Sequence, residues 1–151
     1  MFSKTLLAVS ALVGSALAQG CADAARFGTL KISPEPIVLG QEVTFEANFT
    51  CAKQFGYTPV YTDYFLEVPA SNNTGFQPPV YFARRDGPSG DEDTFTVTFD
   101  PTYIGFTTYP DAQYQVVLAS TRIVQSDSYG NTLTTGEVLY PVSLVQASSS
   151  N

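Results

Sequence analysis

Histidine and tryptophan are absent from this 151-residue chain, cysteine occurs twice and methionine once. Without an imidazole the chain lacks the usual base of serine and cysteine hydrolases and the usual ligand of zinc and copper sites, so those enzyme classes fall away together. Positive charge is also scarce. Lys and Arg number 7 against 14 Asp and Glu, and that sign repels phosphate backbones and anionic headgroups, which argues against nucleic-acid binding and electrostatic membrane attachment. The end of the chain, Val145 to Asn151, carries no hydrophobic tail, so a GPI-type anchor is not expected.

What is present begins with an address. Lys4 supplies a charged start, Thr5 to Ala18 is apolar and small, and Ala16-Leu17-Ala18 fits the small-x-small pattern cut by signal peptidase. The run is too short to span a bilayer, so residues 1–18 are expected to be a signal peptide and residues 19–151 a single secreted, extracellular domain. Removing 18 of 151 residues leaves 133, enough for one core, and the mature chain carries 6 cations against 14 anions, a formal −8. Cys21 and Cys51 are then an isolated pair in an oxidising compartment, and a mutual disulfide in a monomer is the simplest expectation. Free thiols holding a metal are the alternative, but no second ligand cluster accompanies them.

Period-two alternation dominates the mature chain. In Glu42 to Thr50, Val43, Phe45, Ala47 and Phe49 share one face and the polar residues take the other; Phe95, Val97 and Phe99 repeat the pattern among threonines. Further strands are expected at Thr29 to Ile32, Tyr61 to Val68, Val80 to Arg84, Tyr114 to Ile123 and Val138 to Val145, bounded by Gly, Pro, Asn or Asp. About seven strands at turn-separated spacing predict an all-β, antiparallel two-sheet sandwich of immunoglobulin-like or fibronectin-like kind. Pro141 has no amide to donate and belongs at an edge or bulge, and Ser126 to Asn131 has hairpin-loop chemistry.

Few residues suggest chemistry. A glycosidase needs only two carboxylates, and Asp63, Glu67, Asp86, Asp91, Glu92, Asp93, Asp100 and Asp111 are available, although acidic residues on a secreted protein ordinarily solubilise its surface. The acidic turn Asp86 to Asp93 is rich in oxygen ligands, but its spacing does not match an EF-hand loop, so no metal or other cofactor is expected; Arg84 and Arg85 can pair with its carboxylates. Asn48-Phe49-Thr50 and Asn72-Asn73-Thr74 are N-glycosylation sequons, Asn48 on the polar face of its strand and Asn72 in a loop. Aromatic residues are plentiful, with 9 Tyr and 11 Phe. Tyr103, Phe106 and Tyr109 lie three apart in a Pro- and Gly-containing stretch, where a loop can present them to a sugar or a protein pocket; as core plugs they would instead cap the sandwich.

The run Ile32-Ser33-Pro34-Glu35-Pro36-Ile37-Val38-Leu39-Gly40-Gln41-Glu42-Val43-Thr44-Phe45 resembles the opening of extracellular immunoglobulin-like domains, in which a proline-rich turn and Leu-Gly-Gln lead into the second strand. It is also similar to the start of ML lipid-recognition domains, and the signal segment with Thr/Tyr-rich β composition resembles small secreted fungal-type proteins. The first resemblance implies an immunoglobulin-like sandwich; the sandwich pattern and the missing catalytic residues point to a non-enzymatic secreted interaction or cell-surface, cell-wall-associated module, with an extracellular polysaccharide or protein as the expected partner. The second implies a carrier of an apolar small molecule or lipid between the sheets, and a carboxylate-dependent glycoside hydrolase ranks last. Intact-mass analysis of secreted protein is expected to show a chain that begins at Gln19 with Cys21 bonded to Cys51; two thiols alkylated without prior reduction would refute the bond.

Overall fold

Strands form where alternation places them. The computed structural model describes residues 20–147 apart from 76, 89, 104, 105, 107, 108, 110, 111 and 129, so the expected signal segment lies outside the described residues. In chain order the strands are β1 (Thr29–Ser33), β2 (Ile37–Val38), β3 (Glu42–Asn48), β4 (Tyr61–Glu67), β5 (Val80–Asp86), β6 (Glu92–Thr98), β7 (Tyr114–Ser126), β8 (Gly130–Val142) and β9 (Leu144–Val145). They make a three-stranded antiparallel sheet in the order β1-β3-β6 and a four-stranded antiparallel sheet in the order β5-β4-β7-β8. A small parallel pair, β2-β9, is the third sheet. The chain is therefore all-β, but with nine described strands in three sheets where about seven in two were expected. The additional pair is two residues long on each side, and two residues carry no readable period.

The inner faces of the two larger sheets meet in a core of aromatic rings. Val43, Phe45, Ala47 and Phe49 are all buried, as their alternation requires. Phe45 packs against Phe82 of β5 at 5.0 Å between centroids, against Phe95 of β6 at 5.3 Å and against Phe99 at 6.4 Å. Tyr64 of β4 meets Phe95 edge to face at 4.8 Å, which ties the two sheets a second time. Phe95 and Val97 were expected to be buried and are only half covered. The reason is position: β6 is an edge strand, and its inward residues lie at the flank of the core. Arg85 closes that flank, donating from Nε and Nη2 to Asp93 at 2.9 and 2.8 Å across the gap from β5 to β6, with its guanidinium 5.2 Å from the Phe95 centroid.

A short 3-10 turn, Asp23–Ala25, precedes β1, and a helix separates β3 from β4. After β3 the chain turns at Phe49 into α1 (Thr50–Gln54), and the Asn48 side chain starts the turn by accepting from the Thr50 amide at 2.9 Å. Cys51 on α1 is bonded to Cys21, with Cα atoms 5.3 Å apart, so the segment before β1 is tied to the helix. Phe27 in that segment lies flat on β8: a Cβ at Gly136 would run into the ring, so only glycine leaves room there. The long β7-β8 ribbon turns at Asp127 and Ser128 with Gly130 at φ 73°, within the expected hairpin segment. Pro141 lies on β8, an edge strand, where its missing donor leaves no ladder bond unmade.

Phe45→Ala is expected to destabilise the fold by about 3–5 kcal/mol, against less than about 0.5 kcal/mol for the exposed Thr96→Ala. Denaturant unfolding of the two variants measures both, and equal losses would contradict the face assignment.

Candidate functional site

A β-bulge in β5 builds the most distinctive surface of the molecule. The β4-β5 register shifts between Tyr64 and Phe65, so Tyr64 lies opposite Ala83 while Phe65 lies opposite Tyr81. The extra residue, Phe82, fills the core, and Tyr81 and Arg84, three apart in sequence, both reach the outer face. Across the four strands the register then aligns Tyr81, Phe65, Val117 and Leu139 in one row. Tyr81 is 52% and Leu139 54% exposed, whereas Val117 between them is buried, so two apolar shoulders flank a low centre. Phe65 and Tyr81 meet edge to face at 5.3 Å. On the same outer side Ile123 lies opposite Leu133, and both are exposed.

The next row is charged: Arg84, Asp63, Ala119 and Glu137. Arg84 donates from Nε to Asp63 Oδ1 at 2.7 Å and from Nη2 to Oδ2 at 2.8 Å, and the Tyr81 hydroxyl donates to Oδ1 at 3.2 Å. The guanidinium lies 4.3 Å from the Tyr61 ring centroid. Asp63 thus fixes a cation and a tyrosine beside the apolar row, and its bonds to Arg84 hold its carboxyl below the ordinary value. On the opposite side of the row Gln115 donates to Glu67 at 2.7 Å. The arrangement is apolar in the middle and polar on both sides.

Tyr103, Phe106 and Tyr109 do not form a presented trio. Phe106 is 5% exposed and sits among Phe99, Tyr103 and Tyr114 at 6.4, 5.1 and 6.0 Å. Tyr103 and Tyr109 are half-buried against the same cluster. The three-residue spacing comes from a turn, with Phe106 N–H donating to the Tyr103 carbonyl at 3.0 Å, and that turn drives the middle ring into the end of the core. Tyr109 keeps its hydroxyl on the neighbouring loop, 2.8 Å from Thr74 Oγ1. The core-plug alternative describes Phe106, while the rims of the two tyrosines remain at the surface.

The candidate carboxylates are dispersed into separate bonds. Asp93 pairs with Arg85, Asp91 with Lys53 at 3.0 Å, Glu92 accepts from Asn48 at 3.1 Å, and Asp100 accepts from the Thr102 amide and hydroxyl. Asp86 is exposed, and Asp111 lies outside the described residues. Asp63 and Asp100 are shifted downward, the reverse of what a general acid requires. Of the two arginines expected to meet the acidic turn, Arg85 does and Arg84 instead reaches Asp63. The described residues hold no group of three or more acidic or cysteine side chains placed to bind a metal ion. No described helix is long and apolar enough to cross a membrane.

Space between the sheets is taken by rings. A cavity of about 70 Å³ lies at the end of the core between Leu39, Phe106, Tyr114, Leu144 and Gln146. A larger trough of about 250 Å³ is open to solvent on the outer face of the three-stranded sheet, beside Asn48. Asn72 is exposed in the turn after β4, its amide donating to the Pro69 carbonyl at 2.8 Å.

The bulge row was not anticipated. Alternation assigns Tyr81 and Arg84 to opposite faces, and the only hint is the unbroken apolar stretch Val80 to Ala83 where period two fails. No protein-family model and no curated protein matches the chain. Among solved structures, a superoxide reductase (neelaredoxin) from Ignicoccus hospitalis is similar at a TM-score of 0.44 and 11% identity, over 78% of this chain and 80% of that one. A likeness at that level carries no argument about activity.

Because the fold depresses its pKa, ionised Asp63 favours the folded state. That contribution is complete above about pH 4, its unfolded value, and fades as pH falls through the lower folded value. Asp63→Asn is expected to lower the melting temperature at neutral pH and to lose this deficit in strong acid. A deficit that stays constant as the medium is acidified would show that the charge of Asp63 is not what matters.

Proposed function

We propose that this protein is a secreted, glycosylated, non-enzymatic interaction module that binds an extracellular protein through the outer face of its four-stranded sheet. The observation that carries the reading is the cross-strand row Tyr81, Phe65, Val117 and Leu139, whose exposed shoulders stand beside a charged row organised by Asp63. Such a surface matches the aromatic-centred, polar-rimmed composition of protein interfaces. A polysaccharide is the less favoured partner, because stacking on a sugar chain calls for coplanar rings and the Phe65–Tyr81 pair is inclined at 61°.

The fold reading that goes with this is an immunoglobulin-like sandwich of the fibronectin kind. Counting only the seven longer strands, one sheet holds the first, second and fifth and the other the fourth, third, sixth and seventh. The constant-type immunoglobulin arrangement keeps the fourth strand beside the fifth, so here that strand has changed sheets. The change brings β5, with its bulge, next to β4 and so creates the row.

Charge refines the partner. All six cations after residue 18 have intramolecular company: Lys31, Lys53, Arg84 and Arg85 in ion pairs, Arg26 over Phe27 at 5.0 Å and Arg122 over Tyr57 at 3.6 Å. Glu137 and Asp86, both exposed, border the row on that same face. A partner with an apolar centre and a basic rim complements this distribution; a polyanion does not.

Tagged secreted protein, cross-linked to the extracellular proteins of the producing organism, is expected to capture a partner identifiable by mass spectrometry. Tyr81→Ser combined with Leu139→Ser should weaken capture at least ~10-fold; because Tyr81 also bonds Asp63 and packs on Phe65, Leu139→Ser alone, which breaks no such contact, should weaken capture in the same direction with little change in melting temperature. Retention on cell-wall polysaccharide that the same double variant abolishes would replace the protein partner by a sugar. Capture unaffected by the double variant would remove this face from the reading.

A further inference from the structure

We propose that the trough on the three-stranded sheet seats the first sugar of an N-linked glycan carried by Asn48 itself. The inference rests on the secretory reading above, because only a chain in that pathway meets the transferase. The trough is built by strand register. Thr29, Asn48 and Glu92 form one cross-strand row on the outer face, and Lys31, Glu46 and Thr94 form another. The intervening row, Leu30, Ala47 and Asp93, turns its side chains inward and leaves backbone as the floor. The Lys31–Glu46 ion pair, at 3.0 Å, walls one end and the Asn48–Glu92 hydrogen bond, at 3.1 Å, the other.

The amide of Asn48 is aimed. Its Oδ1 is held by the Thr50 amide at 2.9 Å, which turns Nδ2 away from α1 and toward Glu92, across the mouth of the trough. In glycan transfer the anomeric carbon of a lipid-pyrophosphate-linked oligosaccharide bonds to Nδ2. Its bond to the pyrophosphate oxygen breaks, the lipid pyrophosphate departs, and one amide proton is lost. The linked nitrogen keeps its second N–H, so the bond to Glu92 survives and continues to orient the sugar. A hexosamine presents hydroxyls and an acetamido group, and the trough offers Thr29 and Thr94 hydroxyls, the Lys31 ammonium and the Glu46 carboxylate. A volume of about 250 Å³ lies below the roughly 300 Å³ at which pockets for drug-sized ligands begin, so it suits one ring better than an extended chain. Tethering raises the sugar's effective concentration at the trough, and weak contacts suffice to hold it.

Asn72 is the internal control, since it is exposed and neither cavity described above touches it. The full chain is secreted from a eukaryotic host, site occupancy is mapped by peptide mass, and release of each glycan from the native protein by a peptide N-glycosidase is timed. Both asparagines are expected to be occupied, with release at Asn48 at least ~10-fold slower than at Asn72, a gap that closes on denaturation. Thr94→Arg, which fills the trough from an exposed position, should bring Asn48 to the rate of Asn72. Lys31→Ala with Glu46→Ala, which opens one wall, should do the same if the arginine variant does not fold. In the intact glycoprotein the acetamido methyl should show nuclear Overhauser contacts to Thr94 and Lys31. Equal native release rates, a bare Asn48 beside an occupied Asn72, or protection that survives both variants would overturn the seated sugar while leaving the secretory reading intact. Failure of secretion with both asparagines bare would overturn both.

Discussion

Phe45 touches three rings that come from two other strands and the segment beyond β6: Phe82, Phe95 and Phe99. It is fully buried, and its contacts fix the separation of the sheets and their lateral offset together, because edge-to-face and stacked pairs tolerate little sliding. Each ring also occupies volume that a bound molecule would need. Where these described rings meet, the inner faces are thereby committed to packing. Arg85 and Asp93 complete the constraint by bridging the flank where β6 leaves the core half open.

Strand positions were legible because a half-buried strand writes its period into the sequence. Val43, Phe45, Ala47 and Phe49 alternate without error and lie on the buried face. Legibility fails where one residue breaks the period or where a segment is too short to have one. The bulge at Phe82 does the first, so that Tyr81 and Arg84 share a face that alternation denies them. Ile37–Val38 and Leu144–Val145 do the second. Helix α1 was hidden for a different reason: five residues barely exceed one turn, and its start depends on the Asn48 side chain capturing the Thr50 amide rather than on an apolar stripe. For the aromatic triplet, composition suggested a loop that displays its rings. Tertiary packing decided otherwise, because the end of the core lay open and Phe106 fills it.

The two outer faces are chemically unlike, although the same rings support both. On the three-stranded sheet the outward residues are Thr29, Lys31, Ser33, Glu42, Thr44, Glu46, Thr94, Thr96 and Thr98 with Asn48 and Glu92, a polar surface that holds the trough. On the four-stranded sheet the outward rows alternate between apolar and charged. Burying the polar face against a partner would strip water from hydroxyls and ion pairs that are already satisfied, at little gain. Burying the apolar row removes exposed Tyr81 and Leu139 from water, and the Asp63–Arg84 pair beside it arrives with its hydrogen bonds already made. Of the two outer faces, the four-stranded one therefore has more to gain from burial.

Edges bear on how such a face avoids pairing with other chains. β8 is an unpaired edge along its full length from Gly130 to Val142, and long flat edges invite pairing with other chains. Pro141 removes a donor near one end, Glu137 places a charge in the middle, and Phe27 lies across the inner side at Gly136, held there by a segment that the Cys21–Cys51 bond anchors. Sequence far from the sheet thus guards one point of it: the disulfide fixes the segment that carries Phe27, Phe27 requires glycine at 136, and the inner side of β8 is covered there, while Thr132 and Thr134 further along the ribbon stay exposed. On the outer side of the ribbon Ile123 and Leu133 form a second exposed apolar pair, separated from Val117 and Leu139 by the Ala119–Glu137 and Thr121–Thr135 pairs, so charge and hydroxyls divide the apolar surface into two small patches rather than one long one.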